Sequence, residues 1–98
     1  MSEGSMDHVL IIHAVADYEA WKRVFDQAAA MRKVAGERSY QVLRFDSDAN
    51  KVVHFSQWTS IADARAFFES PRLVEIRRQA GVEAPEFHYL LSLEEGVL

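Results

Sequence analysis

The hydrophobic positions fall into blocks whose spacing alternates between that of a strand and that of a helix. His8-Val9-Leu10-Ile11-Ile12-His13-Ala14-Val15 is a near-continuous apolar run, the pattern of a central strand covered on both faces. From Tyr18 the period changes. Tyr18, Trp21, Val24, Phe25, Ala28, Met31 and Ala35 recur mainly at steps of three and four, which predicts one helix from Tyr18 to Ala35 with a single apolar stripe. Lys22, Asp26 and Arg32 fall mainly off that stripe. Asp17 is placed to cap the helix start, Glu19 suits the first turn, and Gly36 fits a left-handed C-terminal cap.

Alternation returns over Arg38–Phe45, with Tyr40, Val42 and Arg44 on one face and Gln41, Leu43 and Phe45 on the other. The polar stretch Asp46-Ser47-Asp48-Ala49-Asn50 reads as a hairpin connection. Its Asp-x-Asp-x-Asn spacing opens like a calcium loop, but Lys51 stands at the tight-turn glycine and Gln57 at the bidentate glutamate, so the turn reading prevails. Lys51–Thr59 is a third strand, placing Val52, His54, Ser56 and Trp58 on one face and Val53, Phe55 and Gln57 on the other. Ser60, followed three residues later by Asp63, caps a helix from Ile61 to about Glu69. Ser70-Pro71 restarts it as Pro71–Ala80, closed by Gly81, with Arg72, Arg77 and Arg78 marking an exposed flank. After Pro85 a last strand, Glu86–Leu93, sets Phe87, Tyr89 and Leu91 against His88 and Leu90. The tail Glu94–Leu98 is short enough to cross to a partner subunit, and Met1–Asp7 is expected to be a disordered leader.

The order strand, helix, strand, strand, helix, strand predicts an α+β fold: a ferredoxin-like βαββαβ plait with one antiparallel four-stranded sheet and helices on one face, spanning residues 8–98 as a single domain. Right-handed crossovers put the first and third strands in the middle. The uncovered face would be too large an apolar patch for a monomer. A two-fold homodimer through that sheet face, a dimeric α/β barrel, is therefore expected.

Composition narrows the partners. A chain of 98 residues, about half of it hydrophobic, supports one globular domain. Such a small domain buries roughly 60–65% of its unfolded surface, so partner burial would add stability. The formal net charge of −4 argues against nucleic acid. With no cysteine, disulfides, thiolate nucleophiles and cysteine-ligated metals are excluded. No apolar run approaches the ~20 residues that span a bilayer, and no signal peptide is visible, so no membrane partner and a cytoplasmic location are expected. Glycine-rich phosphate loops and serine-nucleophile motifs are absent, and no cofactor is expected.

The candidate chemistry lies on the third strand. His54 offers a general base, because imidazole titrates near neutral pH. Trp58 offers a stacking platform. Ser56, Phe67 and Phe68 complete a candidate pocket, with Tyr40 and Tyr89 as hydrogen-bond donors to a substrate oxygen. Each also has a plain packing role. Arg44 suits a carboxylate or a sheet edge. His13, His54 and His88 sit on neighbouring strands, but no short ligand spacing supports a metal among them.

The element order, the third strand ending in Trp58 with a helix just beyond, and the helix break at Ser70-Pro71 resemble the dimeric α/β-barrel superfamily, and within it the antibiotic biosynthesis monooxygenase group. The resemblance covers Val9 to Leu93. It implies a pocket between sheet and helices, lined by a third-strand tryptophan and a polar residue four before it, which Trp58 and His54 match. Haem-degrading members differ, since Arg77 and Phe67 occupy the stretch that carries their histidine ligand and tryptophan. The resemblance implies cofactor-free monooxygenation, or a related isomerase or cyclase reaction, of a small aromatic or polyketide-like compound. The alternative is a non-catalytic dimeric module that binds a hydrophobic small ligand or a protein partner.

Overall fold

The computed structural model describes residues 7–98. The expected leader therefore lies outside the described residues except for Asp7, which opens the first strand and caps Ile61 N–H with its carboxylate at 3.0 Å. The elements run β1 (Asp7–Val15), α1 (Tyr18–Gln27), α2 (Ala29–Ala35), β2 (Glu37–Phe45), β3 (Asp48–Trp58), α3 (Ile61–Phe68), α4 (Pro71–Gln79) and β4 (Val82–Leu90). The sheet is antiparallel in the order β2-β3-β1-β4. This is the ferredoxin-like plait, with β1 and β3 central. Among the described residues no helix is long and apolar enough to cross a membrane.

The caps act as their residue types dictate. Asp17 accepts from Ala20 N–H, Ser60 from Asp63 N–H and Ser70 from Leu73 N–H. Pro71 sits in the first turn of α4, where its missing N–H is harmless. Gly36 adopts φ 135°, and a Cβ there would come within 2.6 Å of Thr59 Oγ1, so conformation and space both require glycine.

Four expectations are corrected. The helix predicted over Tyr18–Ala35 is broken at Ala28. Neither proline nor glycine causes the break. Instead the Arg32 guanidinium donates to the Phe25 carbonyl across it, a side chain inserted into the helical ladder. Arg32 is consequently buried rather than off the apolar stripe. Arg77 is half-buried rather than on an exposed flank: it donates to the Phe68 carbonyl at 3.0 Å and lies 5.0 Å from the Phe87 ring centre. The last strand begins at Val82, before Pro85. The β1–β4 register shifts between Ile12 and Ala14, opposite Pro85, and an edge strand tolerates proline at such a bulge.

The helices cover one face of the sheet. Val9, Ile11, Trp58, Ala64, Phe67, Phe68 and Leu73 form one buried cluster, and Val15, Trp21, Phe25, Val52 and Ala80 a second. The other face holds Leu10, Ile12, Val53 and Phe55, half-buried, with Leu43 and Leu90 exposed. The apolar run of β1 is thus covered on only one side within a single chain.

Candidate functional site

His54 lies at the junction of the two clusters. The register pairs it with Ile11 on β1 and Val42 on β2, on the helix-covered face of the sheet. Its ring meets Phe25 edge-on at 4.9 Å, with Tyr40 at 6.2 Å and Phe68 at 6.3 Å. Only 2% of the residue is exposed. A buried imidazole needs polar partners, and Glu37 supplies one: its Oε2 lies 2.7 Å from His54 Nε2. The other carboxylate oxygen accepts from Arg32 Nε at 2.5 Å. The guanidinium carbon stands 3.7 Å from the Phe25 ring centre, so a cation–π contact adds to the ion pair. The row Arg32–Glu37–His54 is a buried charge network under an aromatic wall.

Glu37 reaches this face because of a bulge. Along β2, Tyr40 pairs with Ser56 and Val42 with His54, both on the helix side, whereas Ser39 pairs with Gln57 on the open side. Strict alternation would send Glu37 to the open side with Ser39. The register shifts between Glu37 and Ser39, and Glu37 pairs with Trp58 instead. Bulges re-aim side chains in this way.

A half-enclosed cavity between sheet and helices is lined by His54 and His13, by Trp21 and Phe25 of α1, and by Phe67 and Phe68 of α3, with Arg32, Leu73 and Arg77 at its margins. The space open to the centres of water-sized molecules is about 60 Å³, several times the ~10–15 Å³ that admits one water. It is less than the ~150 Å³ that encloses a benzene ring, so an aromatic ligand would extend into the open side of the cavity.

His13 is the second imidazole of the cavity. It is 5% exposed, packs on Trp21 at 5.4 Å, and leaves its Nδ1 without a hydrogen-bond partner among the described residues. Burial first, then the electrostatic influence of His54 and Arg77, lowers its pKa to about 3, so the ring is neutral at ordinary pH.

The expected residues divide. His54, Phe67 and Phe68 line the cavity. Trp58 and Ser56 share the strand face of His54 but sit beneath the aromatic wall. Trp58 is fully buried between Phe67 and Phe68, and its Nε1–H donates to Ser56 Oγ at 2.8 Å. Tyr40, 48% exposed, borders an outer groove with Glu37 and Arg38. Tyr89 stacks with Phe87 and lies under Arg65, away from the cavity. Arg44 is exposed at the sheet edge. His13 and His54 share a face, while His88 pairs across from Leu10 on the other and bonds Glu86. Among the described residues no group of His, Asp and Glu is placed to hold a metal. Sequence reasoning missed Arg32, Glu37, Trp21 and Phe25 as parts of the site. A charged residue directly after Met31, with a glutamate just after Gly36, was the available signal.

Solved structures share this architecture. SnoaB of Streptomyces nogalater, a cofactor-independent oxygenase, superimposes with a TM-score of 0.72 at 16% identity, over 93% of this chain and 95% of that one. The ActVA-Orf6 monooxygenase of Streptomyces coelicolor, solved with nanaomycin D, gives 0.68 at 19% identity, over 96% and 93%. A dimeric ferredoxin-like protein from an uncultured marine organism gives 0.63 at 7% identity, over 96% and 93%. No curated protein matches the chain. The family model described as antibiotic biosynthesis monooxygenase matches residues 16–79. By that match the chain belongs to the antibiotic biosynthesis monooxygenase family.

Proposed function

We propose that the protein is a cofactor-independent monooxygenase of a small aromatic or polyketide-like phenol, with His54 as its general base. The observation that carries this reading is the 2.7 Å contact between Glu37 and His54 Nε2 at the wall of an aromatic cavity. A carboxylate only accepts, so in the neutral imidazole Nε2 carries the hydrogen and Nδ1 keeps its lone pair. Glu37 also stabilises the imidazolium that forms once a proton is taken.

The chemistry then needs only substrate, oxygen and that base. His54 removes a proton from an activated ring CH₂, and the carbanion adds dioxygen to form a carbon-bound peroxide. The imidazolium returns its proton to give the hydroperoxide. Loss of water, with cleavage of the O–O bond and departure of the second ring hydrogen, leaves a carbonyl. One CH₂ and one O₂ become one C=O and one H₂O. Phe67, Phe68 and Phe25 hold the rings and keep water out. The descriptions of the Streptomyces structures, a cofactor-independent oxygenase and a monooxygenase, support the reaction class.

We infer a homodimer as well. The open sheet face, with Leu10, Ile12, Val53 and Phe55, is the apolar surface that a second copy would cover. The narrowness of the cavity favours a second reading, a dimeric module that binds a small hydrophobic ligand without turnover.

Oxygen consumption by metal-free protein separates these readings. With anthrones, quinols and flavonols, uptake that disappears in His54→Ala is the expected result. Uptake equal in both proteins overturns the assignment of the base. Binding without uptake across the panel favours the non-catalytic module.

A further inference from the structure

We infer that His13 is a second ligand anchor, bonding an oxygen at the end of the bound ring system away from His54, so that the cavity selects aromatics of quinol type with oxygens on opposite sides. The inference rests on the reading of this cavity as the ligand site. It adds a contact that the proposed base chemistry does not require.

Three observations carry it. First, His13 Nδ1 is buried without a hydrogen-bond partner among the described residues, and buried polar atoms are ordinarily paired. Second, the ring lines the same cavity as His54 and is held against Trp21 at 5.4 Å, so its direction is fixed by packing. Third, the register sets the spacing. His13 pairs with Val52, two residues before His54 on the neighbouring strand, and such diagonal neighbours stand about 7–8 Å apart on one face. The two imidazoles therefore enter the cavity from neighbouring strands at separate points, and a ligand with two well-separated oxygens can meet both. An apolar ring, or a phenol with one oxygen, leaves one imidazole unpaired.

The charge state agrees with this role. Burial, and after it the electrostatic influence of His54 and Arg77, keep His13 neutral, with its pKa lowered to about 3. A neutral imidazole nitrogen donates or accepts according to tautomer, and a hydroxyl complements either. His54, backed by Glu37, takes the proton, while His13 lacks a carboxylate and holds the substrate. The two imidazoles thus differ in role because their second partners differ.

Equilibrium binding in oxygen-free buffer tests the anchor without turnover. The probes are 1,4-dihydroxynaphthalene and 1-naphthol, followed by quenching of tryptophan fluorescence. The wild type is expected to bind the diol about tenfold more tightly, the scale of one buried hydrogen bond. His13→Phe should bring the two affinities within about twofold while 1-naphthol binding stays close to wild type. His13→Leu serves if the phenylalanine variant does not fold, and the wild-type preference is itself a test without any variant. Equal affinities in the wild type overturn the anchor and mean that water alone meets Nδ1; oxygen uptake that depends on His54 would still support the base. A preference that disappears in the His13 variants, together with no oxygen uptake from any compound, supports the anchor and overturns the oxygenase reading. Failure of both naphthols to bind overturns the anchor and the cavity as a ligand site together.

Discussion

Glu37 and His54 come from different strands, seventeen positions apart, yet their side chains meet at 2.7 Å beneath the helices. Two local events bring this about. A bulge turns Glu37 to the covered face, and Arg32, drawn inward at the break between α1 and α2, neutralises the carboxylate from the other side. Each buried charge depends on the other for its tolerance of a dry site. The helix break, the bulge and the ion pair are therefore one device, and its product is a fixed imidazole facing the cavity.

Glu37→Gln tests that device. The amide can still bond His54 but no longer balances Arg32. Removing one member of a buried pair typically costs about 3–5 kcal/mol. The expected outcome is a clear fall in melting temperature, together with a loss of His54-dependent oxygen uptake of roughly 10²-fold or more. An unchanged melting temperature would show that the pair is not a structural dependence.

Trp58→Ala should act on stability alone. The indole is fully buried, touches Phe67 and Phe68, and bonds Ser56. Its removal should cost about 3–5 kcal/mol, a shift of more than about 10 °C in a domain of this size. Ligand affinity, measured well below the lowered transition, should change little, because the ring stands behind the cavity wall. A large loss of affinity with unchanged melting would put Trp58 at the ligand.

The fold was legible because period and punctuation agreed. Asp17, Ser60 and Ser70 cap where their residue types predict, and the apolar alternation sets the helix face of β3. Half the site was legible for the same reason: His54, Phe67 and Phe68 fall on faces that periodicity assigns. Glu37 was not, because one bulged residue reverses parity and nothing in the residues around Arg38 marks the bulge. Arg32 was not, because a charge beside an apolar stripe reads as solvated until its partner is known. Pro85 misled about β4 because a proline at a strand bulge looks like a strand boundary.

The proposed dimerisation rests on the open sheet face. Phe55 stands at its centre, stacked on His8 at 5.2 Å and paired across from Leu10 and Gln41. Phe55→Asp would place a charge inside a face-to-face interface. Light scattering is expected to give twice the chain mass for the wild type and the single-chain mass for the variant. A wild-type monomer at micromolar concentration would remove the barrel arrangement.

The stability of the protein should fall on mild acidification through His13. Its pKa drops from 6.5 in the unfolded chain to about 3 when folded. Between those values the unfolded chain binds a proton that the native state refuses. Stability therefore rises with pH across this window, is fully present above about 6.5, and is lost progressively as the pH falls toward 3. By pH 4.5 the loss from this group alone is about 2–3 kcal/mol. The neighbouring His54 and Arg77 also oppose its protonation. Thermal melting of wild type and His13→Phe from pH 7.5 to 4.5 checks this. The wild-type melting temperature should drop several degrees further than that of the variant, whose apolar ring has no proton to refuse. Parallel slopes in the two proteins would mean that His13 is solvated in the native state and would assign the acid sensitivity to the carboxylates instead.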